Sequence, residues 1–156
     1  MTLTIRQGPK PKTTPTNPHT QLDQNPTPSF FEYFKESAFA RFPEVARRPS
    51  MISVPGAEAL CWCGNHRGPH EAFMYGDEFA HIHPAYDGSL HLALPENVCT
   101  AVIHANWGEV HPVAKMGFIP STVMMVYAPR NEAELNTVLA LLNISFLFAA
   151  GQYLET

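Results

Sequence analysis

The sequence predicts a single α+β domain, an antiparallel sheet with about three helices packed on it. Three observations carry that prediction. Residues 78–94 read as two short strands joined at Asp87-Gly88, a pair that favours a tight reversal because glycine takes positive φ at no steric cost. Residues 121–128 are apolar on both faces, the pattern of an interior strand covered from two sides. Helical periodicities flank these strands without a regular strand–helix–strand alternation, which argues against a parallel doubly wound sheet. A chain of 156 residues is expected to form one domain with a real core.

Residues 1–28 carry Pro9, Pro11, Pro15, Pro18, Pro26 and Pro28 among Thr, Asn, Gln and Lys. Such a stretch buries too little apolar surface to offset its ordering entropy, so it is expected to be a disordered or extended arm ahead of a domain at 29–156. Ser29 with Glu32 fits a capping box, and Phe31, Phe34, Ala38 and Phe42 follow at helical spacing until Pro43. Ala57–Trp62 reads as a strand, and Glu71–Tyr75 as a further short one. Cys61, Cys63 and His66 lack a fourth ligand at zinc-site spacing, so the cysteines are expected to be buried and free.

Pro95 is suited to the first position of a second helix with Val98, Ala101, Val102 and Ala105 inward and His104 toward solvent. Trp107–Pro112 forms a loop or short extended piece, with His111 held extended by the proline after it. Asn131 caps the last helix, Leu135, Val138, Leu139, Leu142 and Phe146 form its buried stripe, and Gly151 stands at its C′ position.

The apolar fraction is 45%, the charged fraction 15% and the net charge −4, with no Lys/Arg stripe, which excludes a nucleic-acid surface. The run Val138–Ala150 is interrupted by Asn143 and Ser145 and suits a buried helix rather than a membrane span. Three cysteines cannot all pair, and Met1–Lys12 has no apolar leader core, so a reducing, cytoplasmic setting is expected, with no membrane partner. The Phe-rich first helix and the long arm are compatible with a homodimer.

The chemistry concentrates in the hairpin. His81 and His83 are two apart on a strand and share a face, and the turn returns Asp87 and His91 toward it. His81, His83, Asp87, His91 and His111 are the candidate catalytic residues. Glu78, Trp107, Glu109, Tyr127 and Arg130, from the same segments, are the candidate substrate contacts. Imidazoles beside a carboxylate permit general acid–base catalysis near neutral pH. They also permit metal ligation, with His81 and His83 the candidate ligands, although the sequence commits to no metal and no organic cofactor. The third option is structural, histidines satisfied by backbone groups around a turn. No Gly-rich phosphate loop and no Gly-x-Ser-x-Gly elbow occurs.

The run His81-x-His83, Asp87, Leu90-His91-Leu92-Ala93-Leu94, then Trp107-Gly108, His111-Pro112 and Tyr127-Ala128-Pro129-Arg130-Asn131-Glu132 resembles the fungal luciferase and luciferase-like domain family over roughly Glu78–Ala150. That family adds molecular oxygen to a hydroxylated pyrone, and the endoperoxide loses carbon dioxide with emission of light. The resemblance implies a pocket for a flat, oxygen-rich small molecule, lined by His81, His83, Asp87, His91 and His111, with oxygen as cosubstrate. Fungal luciferase carries an apolar N-terminal membrane segment, whereas Met1–Pro28 is polar, and the chain is shorter. The expectation is therefore a secondary-metabolite enzyme acting on a pyrone, phenol or β-keto acid by oxygenation, decarboxylation or both. The alternatives are a cofactor-free cyclase or isomerase, including a Diels–Alder-type one, and a non-catalytic module binding a small ligand or a partner.

Overall fold

The computed structural model describes residues 1–155. Their elements, in chain order, are α1 (Pro28–Ala40), β1 (Val45–Pro49), β2 (Glu58–Trp62), a 3-10 turn (His70–Ala72), β3 (Glu78–Ile82), β4 (Leu90–Ala93), α2 (Glu96–His104), β5 (Gly108–Val110), α3 (Pro112–Lys115), β6 (Val123–Val126) and α4 (Glu132–Ala149). The strands form one antiparallel sheet in the order β1-β2-β3-β4-β6-β5. This is the predicted α+β class, with β6 interior and wholly buried as its two apolar faces require.

Each strand sends alternate residues to opposite faces. One face is apolar: Leu60, Ala80, Ile82, Leu90, Leu92, Met124 and Val126 pack there with α1 and α4. Helix α4 contributes Leu135, Val138, Leu141 and Leu142, and each such buried side chain is worth roughly 1.5–3 kcal/mol over an exposed one. Its start is fixed as predicted: Asn131 accepts a hydrogen bond from Glu134 N. Past the cap at Ala150, Gly151 takes φ +69.

Local expectations need correction in four places. Thr27, not Ser29, caps α1, because Pro28 supplies the preset φ of the first helical turn and Thr27 Oγ1 accepts from Phe30 N. Pro95 is the N-cap of α2 rather than its first residue. Residues expected as a strand near 71–75 instead turn through the 3-10 element. Cys61 is buried but Cys63 is exposed. Strand β1 and the one-turn helix α3 had no sequence expectation. His104 is exposed, as predicted.

Residues 1–27 have almost no regular secondary structure and lie against the domain, with Arg6, His19 and Gln21 buried. Polar groups hold them there. Gln21 N donates to Asp87 Oδ2, Ala128 N donates to Gln21 Oε1, Asn25 Nδ2 donates to Asp87 O, and Trp107 Nε1 donates to Thr4 O. Gly88 makes the close fit possible: at φ +81, a Cβ there would sit 2.8 Å from Pro26 Cγ.

Candidate functional site

The face of the sheet opposite the apolar core carries imidazoles. Register alone sets up a row across four strands: Glu109 on β5 is opposite Met125 on β6, Met125 opposite His91 on β4, and His91 opposite His81 on β3. His83 follows β3 two residues beyond His81, and His111 follows β5 two residues beyond Glu109, so both stay on the same face. A bulge adds Glu78. The β2–β3 register passes from Leu60–Ala80 to Cys61–Glu78 and leaves Phe79 unpaired. Phe79 and Ala80 both turn into the core, which returns Glu78 to the face of His81.

The side chains form one linked series. Glu78 Oε2 is 2.7 Å from His81 Nδ1, His81 Nε2 is 3.0 Å from His91 Nδ1, His91 Nε2 is 2.9 Å from His19 Nδ1, and His19 Nε2 is 3.0 Å from Glu109 Oε2. Beside it, His83 Nδ1 lies 3.1 Å from Asp87 Oδ2 and 3.0 Å from Ser89 Oγ. Ser89 gives its own hydroxyl and backbone protons to Asp87 Oδ1, so its oxygen accepts from His83. His111 Nδ1 accepts from Val113 N and caps α3, and its ring centroid is 4.2 Å from that of His91. Tyr127 and Thr13 hydroxyls donate to Glu109.

Burial sets the electrostatics. His81 and His91 have lowered pKa values, first because burial penalises the cation and then because neighbouring imidazoles repel it, and His91 lies well below the ordinary range. His111 falls to about 4 for the same reasons. Burial alone would raise Asp87 and Glu109. The bonds from His83 and Ser89 to Asp87, and from His19, Tyr127 and Thr13 to Glu109, outweigh it and keep both carboxylates below their usual values. The site thus sets imidazoles on which burial disfavours the cation, His81, His91 and His111, near carboxylates whose hydrogen bonds favour the anion, Asp87 and Glu109.

These rings line a cavity of about 160 Å³. His19, His81, His83, His91 and His111 form one wall, and Ile52, Val54, Met74, Ile119 and Val123 supply apolar surface. An apolar cavity of about 150 Å³ accepts benzene, so the space suits one ring. Of the expected catalytic set, the structure brings His81, His83, His91 and His111 to the cavity, with Asp87 behind His83. It does not bring the expected substrate contacts there. Glu78 and Glu109 stand behind imidazoles, and Tyr127 bonds Glu109. Trp107 holds the arm through Thr4, and Arg130 is taken up by Glu134, Gln24 and Gln7. His19 was not expected, because a lone histidine in a polar, Pro-rich segment carries no periodic signal.

With this geometry in place, comparison with known proteins is direct. Residues 76–145 match the Luciferase domain family. That interval of the luciferase domain contains Glu78, His81, His83, Asp87, His91, Glu109 and His111, and leaves out His19. Luciferases of Armillaria gallica and Armillaria mellea are each 43% identical to the chain over 63 residues, which is 39% of this chain and 24% of the relative. The luciferase of Neonothopanus nambi is 41% identical over the same length. The similarity therefore spans about a quarter of the length of these luciferases. No solved structure matches the chain.

Proposed function

We propose that the protein is a luciferase-like enzyme acting on a small enol-bearing molecule, a one-ring pyrone or phenol or a short β-keto acid. The observation that carries this reading is the convergence of imidazoles, each braced from behind, on a cavity sized for one ring. Similarity to fungal luciferases over the segment that carries the cluster supports the same direction.

His83 is the general base. Its Nδ1 is held by Asp87 and Ser89, which leaves the Nε2 lone pair toward the cavity, the arrangement that suits proton abstraction. It takes the proton of the enol or phenol. The electron-rich enolate then either adds oxygen at carbon, with the abstracted proton delivered to the distal peroxide oxygen, or takes that proton at the carboxylate-bearing carbon to give the keto form, whose β-carboxylate leaves as carbon dioxide while its bonding pair passes into the carbonyl as the enolate of the shortened product. In the first case the substrate carbon is oxidised and dioxygen is reduced to the peroxide level. In the second no electrons are exchanged with a partner. His111, whose Nδ1 is engaged as an acceptor, presents Nε2–H to a developing oxyanion.

The test is turnover of hydroxylated pyrones, simple phenols and β-keto acids, followed by oxygen uptake and carbon dioxide release. A positioned base contributes about 10²–10⁴-fold, and His83→Gln is expected to lose that factor with the fold intact. Unchanged turnover in His83→Gln overturns the assignment. The apolar residues that line the cavity with the imidazoles also favour a second reading, a cofactor-free cyclase or isomerase that holds one reactive conformer. Product formed at full rate under strict anoxia without carbon dioxide release selects it.

A further inference from the structure

The proton inventory of the cluster points beyond acid–base chemistry. His81 Nδ1 faces the Glu78 carboxylate at 2.7 Å, so its proton sits on Nδ1 and its Nε2 carries a lone pair. His83 Nδ1 faces Asp87 and the accepting oxygen of Ser89, so its Nε2 carries a lone pair as well. His19 Nε2 faces Glu109 at 3.0 Å, which places its proton there and leaves Nδ1 as acceptor. His91 Nε2, 2.9 Å from that nitrogen, must then be the donor, and His91 Nδ1 is left with a lone pair. With the protons so placed, the contacts to Glu78, Asp87, Ser89 and Glu109 and the contact between His19 and His91 each pair one donor with one acceptor. The cost is three lone pairs, on His81 Nε2, His83 Nε2 and His91 Nδ1, pointing into one small volume, two of them 3.0 Å apart.

A cation resolves that convergence. We propose that His81, His83 and His91 hold one divalent first-row transition-metal ion through these nitrogens. One ring nitrogen from each of the three residues lies within 4.8 Å of the other two, and all three residues are buried. Metal–nitrogen bonds of about 2.0–2.1 Å in a tetrahedral set put neighbouring nitrogens roughly 3.3 Å apart, so the His81–His91 pair needs to open by only a few tenths of an ångström. The supporting groups match too. Ligating histidines characteristically donate their other N–H to a carboxylate, and here Glu78 and Asp87 accept from two of the ligands while His19, backed by Glu109, accepts from the third. Three imidazoles with an open fourth position describe a catalytic rather than a structural metal site.

A second grouping, His19, His91 and His111, is also close enough. It fails on the same inventory. His111 Nδ1 accepts the Val113 amide proton at 3.0 Å, which puts its own proton on Nε2, and His91 Nε2 is spent on His19. His111 is a donor to whatever occupies the open position, not a ligand. The open position faces the cavity and takes an oxygen of an enol, phenol or carboxylate. Only that last assignment rests on the function proposed above. With the ion present His83 is a ligand, and the ion instead of His83 meets the substrate oxygen.

The experiment is metal analysis of the untagged 156-residue chain purified without chelator, followed by chelator stripping and titration with Co²⁺ and Zn²⁺. About one equivalent is expected, and Co²⁺ is expected to give the visible bands of a low-coordinate nitrogen site. His81→Ala and His83→Ala lose stoichiometric binding, and Asp87→Asn weakens it by about 10–100-fold. His111→Asn retains it. Circular dichroism of each stripped variant separates lost binding from lost folding. Failure of the stripped wild-type protein to bind Co²⁺ or Zn²⁺ at micromolar concentration overturns the inference, as does equal loss in His111→Asn. Turnover without metal leaves the proposed function standing and removes the metal. Metal bound without turnover of any enol-type substrate does the reverse.

Discussion

Glu78 Oε2 lies 2.7 Å from His81 Nδ1, although residues three apart on a regular strand point to opposite faces. The unpaired Phe79 is what brings them together. The same carboxylate accepts from Ser50 Oγ at 2.7 Å and from Met51 N at 3.2 Å, so it ties the loop after β1 to the cluster. Glu78→Leu strips a partner from buried His81 and half-buried Ser50, and from the backbone amide of exposed Met51. Each orphaned donor costs about 1–3 kcal/mol, so a loss of several kcal/mol is expected in urea denaturation. Glu78→Gln keeps an acceptor oxygen for His81 and is expected to recover at least half of that loss. Equal destabilisation by the two substitutions would show that the charge, not the hydrogen bonds, is what matters.

Much of this arrangement was legible in the chain. The hairpin, the interior strand β6 and the capped helix α4 each carry a local signal that tertiary packing did not override; His81 and His83 stood out because side chains two apart on a strand share a face, His91 because the turn returns it to that face, and His111 through the family resemblance. What stayed hidden depends on long-range placement. Nothing in the residues around His19 says that it will be buried 72 positions away in sequence, against His91. The bulge at Phe79 has no residue signature, so Glu78 could be named but not put behind His81. Arg130 and Trp107 looked like substrate contacts because polar and aromatic side chains in such segments often are, and a disordered or extended arm gives no sequence signal of the partners it offers them.

The arm is held by single side chains, and Gln21 is the most connected of them. Its Oε1 accepts the Ala128 amide proton at 2.9 Å, and its Nε2 donates to Asp23 O and Gln24 O. Gln21→Ala leaves the buried Ala128 N–H without a partner, at about 1–3 kcal/mol. Because that interaction joins the arm to the strand end after β6, the loss is expected to appear as local opening. Limited proteolysis should cut within residues 1–25 faster than in the parent, while the melting of the sheet shifts less. A cleavage rate equal to the parent's would mean that the remaining contacts hold the arm without Gln21.

Glu134 is a well-defined contributor to acid stability outside the cluster. Burial would raise the pKa of Glu134, but hydrogen bonds from the Arg130 side chain and backbone more than offset this, and the carboxylate titrates below its ordinary 4.5. A group whose folded pKa is depressed stabilises the fold above its unfolded value and loses that contribution as the pH falls through the folded one. Glu134→Gln is therefore expected to cost on the order of 1 kcal/mol at neutral pH, since the pair is partly exposed, and to cost progressively less below pH 4.5. Denaturant midpoints measured across that range check it. A constant difference down to pH 2 would remove the ion pair as the cause.

His111 performs two jobs that substitution can separate. Its Nδ1 caps α3 by accepting the Val113 amide proton, and its Nε2–H is left for the cavity. His111→Ala removes both, and loss of a cap costs about 1 kcal/mol. Asparagine is among the best N-cap residues, so His111→Asn should restore the helix start while leaving no donor at the position of Nε2. Thermal denaturation is then expected to place His111→Asn within about 0.5 kcal/mol of the parent and His111→Ala below it. Turnover of an enol-type substrate is expected to fall in both. If His111→Asn regains activity along with stability, the histidine acts by holding α3 in place, and the donor facing the cavity has no part in the chemistry.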